Sequence, residues 1–151
     1  MANDEAASPD EELTVTMLMA DAAQVADGKL SVLGGGIAIV PSRPQPMALA
    51  FVVTVPYSRA DQTIPWVCEL LDDAGLPVMA GDVPVLVNGQ VSAARAPGWP
   101  EHQPLNIPVV ISFGALPVAP GRSYRWRLAV DGASDDRWVL AFSVAPEVTT
   151  T

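Results

Sequence analysis

Proline and glycine interrupt this chain so often that little of it can be helical. Fifteen prolines and eleven glycines are spread over 151 residues. Few stretches between them are long enough for three helical turns, because proline lacks the N–H that a helix interior uses and clashes with the preceding turn. Yet 50% of the residues are hydrophobic, too many for a chain that stays disordered. An apolar chain with turns this frequent is expected to be all-β.

Period-2 alternation supports that expectation. In residues 13–20, Leu13, Val15, Met17 and Met19 fall on one side and Thr14 and Thr16 on the other, as in a half-buried strand. Residues 21–28 read as a polar loop ending in Asp27-Gly28, a turn signal because glycine accepts positive φ freely. A short strand is expected over 29–33. Gly34, Gly35 and Gly36 then precede an apolar run over 37–40, a pattern that fits a bulge or a strand crossing between sheets. Residues 48–55 are almost all apolar, which predicts burial on both faces or a central sheet position. Over 64–71, Trp66, Cys68 and Leu70 share a face, and Glu69 marks the other face as the solvent side.

Short strands are expected at 76–79 and 83–87, and residues 88–106 form the longest irregular segment. A strand over 107–113 follows. Residues 123–130 and 137–144 alternate most clearly, which places Tyr124, Trp126, Leu128, Trp138, Leu140 and Phe142 in one core cluster around an Asp131-Gly132 turn. The expected architecture is an immunoglobulin-like antiparallel β-sandwich of about eight strands. Tyr124, just after Pro120-Gly121, has the placement of the tyrosine corner of such folds. The sandwich is expected over 13–146, after a disordered acidic tail at 1–12 and before a short tail at 147–151.

Charge narrows the partners. The formal net charge is −9, and the first twelve residues hold five acids and no base. The remainder has twelve acids against eight bases, a poor balance for neutralising phosphates, so no nucleic-acid partner is expected. No apolar stretch approaches the ~20 residues of a membrane span, and no basic leader with an apolar run is visible. A single cysteine, Cys68, permits no intrachain disulfide, which fits a reducing, cytoplasmic setting.

Motifs that carry chemistry are weak. The triple glycine lacks the lysine and Ser/Thr that a phosphate loop places after its glycines. His102 is the single histidine, so any nucleophile–histidine mechanism must use it, and its thiol candidate, Cys68, is expected to face the core. Asp72-Asp73 and Asp135-Asp136 are adjacent turn acids rather than carboxyls held across a cleft. No catalytic residue, metal site or cofactor is expected. Three features remain as binding candidates. Arg125, Arg127 and Arg137, with Arg122 nearby, gather on the last two strands as a basic patch in an acidic chain, suited to an acidic partner or to the chain's own acidic tail. Asp21, Gln24, Asp27 and Lys29 cluster in the expected loop, as a ligand set or as side chains tying down backbone. Trp99, between Gly98 and Pro100, offers an aromatic face.

Two stretches carry a resemblance. ADAAQVADGKLSVLGGG at 20–36, and APGRSYRWRLAVDG at 119–132 followed by RWVLAFSV, resemble a family of small uncharacterised bacterial proteins. Those proteins carry Ala-Gln, then Asp-Gly-Lys-Leu, then Gly-Gly-Gly near the N-terminus. The resemblance extends over most of the chain after Leu13, including the proline-rich segment before Leu105. It implies an immunoglobulin-like or similar sandwich and no activity. The leading expectation is a non-enzymatic interaction module that docks a protein partner. The alternative is a small-ligand or carbohydrate-binding sandwich that uses Trp99 and the 21–29 segment. Oligomeric state is left open.

Overall fold

The computed structural model describes residues 12–148. Twelve strands run in order: β1 (Thr14–Ala20), β2 (Ala22–Ala26), β3 (Lys29–Leu33), β4 (Ile39–Val40), β5 (Met47–Val55), β6 (Thr63–Asp72), β7 (Met79–Ala80), β8 (Val83–Pro84), β9 (Leu86–Ser92), β10 (Leu105–Phe113), β11 (Ser123–Val130) and β12 (Ala133–Val144). One 3-10 turn at Tyr57–Arg59 is the helical element among the described residues. The protein is therefore all-β, as expected from the proline and glycine spacing.

Two sheets make the sandwich. One has three antiparallel strands in the order β1-β5-β10. The other has five in the order β4-β12-β11-β6-β9, antiparallel except where β4 runs parallel to β12. The twelve strands among the described residues exceed the expected eight. The two main sheets do hold eight, and the hairpins β2–β3 and β7–β8 supply the others.

Alternation decides what lies between the sheets. From the three-stranded sheet come Met19, Leu49, Phe51, Val53 and Val55; from the other come Ile64, Trp66, Cys68, Leu70, Tyr124, Trp126, Leu128, Trp138 and Phe142, all buried in one cluster. Phe51 meets Trp66 edge-to-face across the gap with ring centres 5.1 Å apart, a favourable geometry for aromatic quadrupoles, and the Phe113 and Trp126 ring centres are 5.5 Å apart. Leu140 joins from the margin, so the six-residue cluster expected on β11 and β12 is present. β5 is the middle strand of its sheet, and its outward Ala48 and Ala50 are also buried. The β2–β3 hairpin folds back against β5 and β10. Alanine's small side chain lets that cover approach closely.

Gly34, Gly35 and Gly36 lie where the chain leaves this hairpin and enters β4 of the opposite sheet. They serve as the sheet switch. Gly34 and Gly36 have φ of +64° and +87°, and the N–H groups of Gly36 and Ile37 both donate to the Met19 carbonyl. Both two-residue turns, Asp27-Gly28 and Asp131-Gly132, have positive φ at both positions, the twist that a tight hairpin requires. The Ala119 N–H donates to the Tyr124 hydroxyl at 2.8 Å, closing the corner before β11.

Three sequence expectations are corrected. Residues 21–28 are not a loop, because 22–26 form β2, paired residue for residue with β3. Alanine and glutamine gave no alternating signal there. The irregular segment begins after Ser92 rather than at Asn88, because β9 carries Asn88, Gly89 and Gln90 in its ladder with β6. Gly89 survives in that strand because the Trp66 ring lies over it, where a Cβ would sit 2.6 Å from a ring carbon. Finally, β12 starts at Ala133, four residues early, with an irregularity opposite Arg127 and Ala129.

Candidate functional site

The two outer faces of the sandwich differ. The β2–β3 hairpin overlies part of the three-stranded sheet. The outer face of the five-stranded sheet carries no such hairpin among the described residues, and its pleat sends Val67 and Glu69 of β6, Arg125, Arg127 and Ala129 of β11, and Asn88 and Gln90 of β9 toward solvent. The alternation that buries Tyr124, Trp126 and Leu128 fixes Arg125 and Arg127 on that face.

The arginines are not equivalent. Arg127 is half exposed and ion-paired with Glu69, its cross-strand neighbour. Arg125 is half-buried, reaches toward Gly75 and makes no ion pair among the described residues. Arg137 is held by Asp135 through its own backbone N–H at 2.8 Å, its Nε at 3.0 Å and its Nη2 at 2.8 Å. These hydrogen bonds from Arg137 hold the Asp135 carboxyl down at about 2. Arg137 also lies 3.7 Å from Glu12, so the first acidic residue in the described structure contacts a candidate arginine. Arg122 is exposed.

A second polar cluster, which the sequence did not reveal, ties the loops at one end of the sandwich. Asp61 takes the Arg95 backbone N–H on Oδ1 at 3.1 Å, and the Arg95 Nε and Nη2 on Oδ2 at 2.9 and 2.6 Å. Those bonds hold the Asp61 carboxyl below its usual range. Arg95 Nη1 donates to the Tyr57 hydroxyl at 2.9 Å, and its guanidinium stands 5.3 Å from the Tyr57 ring centre. Arg59 joins Asp131 at 2.7 Å, linking the loop after β5 to the β11–β12 turn. Asp61 itself has a φ of +67°, a left-handed conformation uncommon outside glycine, asparagine and aspartate. The partners are 34 residues apart in the chain, so no local motif announces them.

Beside this cluster lies an open cleft of about 400 Å³ bounded by Asp61, Arg95, Ala96, Pro97, Gly98 and Trp99. Trp99 is half-buried and packed against the core, and its Nε1–H donates to the Gln103 carbonyl at 2.9 Å. Its ring is a loop anchor more than an open platform. His102 is exposed in the same loop, 3.6 Å from Glu101 and 5.9 Å from the Tyr57 ring centre. Cys68 is buried inside β6, and that burial, reinforced by the Glu69 charge, pushes its thiol up to about 12. Such a thiol is protonated and inert at neutral pH. Asp72 accepts the Ala74 and Leu76 N–H groups, each at 2.9 Å, as a turn-tying acid does.

The set Asp21, Gln24, Asp27 and Lys29 is spread along the β2–β3 hairpin. Asp21 precedes β2, Gln24 sits within it, Asp27 is in the turn at its far end, and Lys29 opens β3 on the same hairpin face as Gln24. The Asp21 side chain packs where a Cβ on Gly34 would fall.

These features define a two-sheet all-β sandwich with one bare, arginine-bearing face and a set of cross-linked loops at one end. The chain belongs to a family of unknown function, DUF6941, whose model matches residues 15–143. No curated protein matches it in sequence. Among solved structures, a β-glucosidase from Listeria innocua in complex with glucose is 10% identical, with a TM-score of 0.46 over 91% of this chain and 16% of the glucosidase. A mutant of that enzyme with laminaribiose gives 9% and 0.47 over the same shares. The sensor domain of the anti-sigma factor RsgI4 from Pseudobacteroides cellulosolvens is 11% identical, with a TM-score of 0.37 over 91% of this chain and 97% of that domain. This chain thus spans only a small part of the glucosidase length.

Proposed function

We propose that this chain is a non-enzymatic docking module with an immunoglobulin-like ladder, and that it takes an acidic protein surface on the outer face of its five-stranded sheet. The ladder supports the first part. A three-stranded sheet faces a five-stranded one, short β4 runs parallel to β12, and Tyr124 closes a corner at the start of the penultimate strand, as a tyrosine corner does. The observation that carries the second part is the bare face itself, with Arg125 unpaired among the described residues and Arg127 half exposed beside it. An exposed basic patch on an acidic chain favours an acidic partner through electrostatic complementarity. The buried thiol and exposed His102 support a module without covalent chemistry, and the lone cysteine fits work in the cytoplasm.

The test is affinity capture from the native host with the full chain and with R125Q/R127Q. Glutamine is chosen because a glutamate at 127 would face Glu69 across the ladder, and like charges directly opposite destabilise a sheet. Retention of the fold with loss of the captured protein supports the reading. Equal capture by the variant refutes it.

A further inference from the structure

The five-stranded sheet ends at β9, and the outer edge of β9 is open. No main-chain hydrogen bond reaches that edge among the described residues. Open edges invite another strand, and proteins ordinarily blunt them with proline, charge, bulges or brevity. The other edges here are blunted. β4 is two residues long. β10 carries Pro108 at mid-strand, where it removes a donor. The Met19 carbonyl of β1 already accepts Gly36 and Ile37, and β1 runs beside β12. β9 has none of these devices. It is seven residues of regular ladder without proline, and no charged residue lies between Asp82 and Arg95. Exposed apolar side chains flank it: Leu86 at 47% exposure, with Met79 and Val83 on the adjoining β7–β8 hairpin and Val67 diagonal to Leu86 on β6.

We infer that β9 pairs antiparallel with β9 of a second copy of this chain, joining the two five-stranded sheets into one. The strand's own sequence selects that occupant. A two-fold pairing is self-complementary by construction, and without charge on the strand an identical strand meets no like-charge repulsion along this edge. Centred on Gly89, such a pairing sets Asn88 opposite Gln90 of the second copy, and Gln90 opposite its Asn88. Both side chains point outward and are exposed, and each amide supplies a donor and an acceptor for the other. Gly89, covered on its inner side by Trp66, lies on the axis with no side chain to obstruct approach. This contact is at the sheet margin and uses neither Arg125 nor Arg127.

Sedimentation equilibrium of the full chain over a wide concentration range tests it. The expected result is a reversible step from the 15.8 kDa chain to twice that mass. N88K/Q90K and N88E/Q90E should each stay monomeric, because like charges then face each other twice. An equimolar mixture of the two should restore the dimer. Hydrogen exchange of the unaltered chain adds a readout free of substitutions: β9 amides should slow as concentration rises. A chain that is monomeric throughout overturns the inference. So does a dimer that both charged variants retain, or a mixture that stays monomeric. Capture of a foreign extended peptide by a monomeric chain assigns the edge to another occupant and likewise overturns it.

Discussion

At the scale of single residues, packing geometry makes sharp demands that composition conceals. Alanine at Gly89 would place a Cβ 2.6 Å from the Trp66 ring, so G89A is expected to cost about 1–3 kcal/mol as an overpacked site. Gly114 has open space around it and no positive φ, so G114A serves as the control and should be neutral or slightly stabilising. Denaturant melts of both variants check the contrast. Trp126 is 1% exposed, and its indole N–H has no hydrogen-bond partner among the described residues. W126A is expected to cost about 3–5 kcal/mol. Truncation to phenylalanine forfeits no hydrogen bond and should cost clearly less. Y124F removes the acceptor of the Ala119 N–H and should cost on the order of 1 kcal/mol. The Cys68 thiol should resist a disulfide-exchange reagent at pH 8 in the native chain and react at once in denaturant. Rapid native labelling would mean that β6 does not hold it in the core.

At the scale of elements, legibility follows the strength of alternation. β11 and β12 carry bulky apolar side chains at every second position, so their buried face could be read directly. Asp27-Gly28 and Asp131-Gly132 announced their turns because positive φ at two successive positions favours those residue types. β2 was hidden because its strand is mostly alanine, which marks neither face. β9 was hidden because Asn88, Gly89 and Gln90 look like loop residues until Trp66 is known to lie across them. The Asp61–Arg95 pair was beyond reach because tertiary folding, not spacing, brings it together. The start of β12 is expected to respond to acid. Asp135, held at about 2 by Arg137, adds stability that is present above the ordinary carboxylate range and is lost as pH falls through that lowered value. Amide exchange over 133–137 should therefore quicken as pH drops from about 4 toward 2, after correction for intrinsic rates, and R137Q should abolish the change.

At the scale of the whole molecule, the asymmetry between the two outer faces organises the account. One sheet is overlain by the chain's own β2–β3 hairpin, with Ala48 and Ala50 buried on its outer side. The other is left bare, with arginines set outward by the same pleat that buries Tyr124, Trp126 and Leu128. The arginines could be placed outward from the sequence alone. Their differing ion pairs could not, because Glu69 meets Arg127 only through the β6–β11 register. The most direct measurement is the dissociation constant of the captured partner for the native chain and for R125Q/R127Q, each at low and at high salt. An exposed charged interface predicts weaker binding by the variant, with the difference narrowing as salt screens the native contact. Equal affinities for the two chains at both salt concentrations would contradict the assignment of this face.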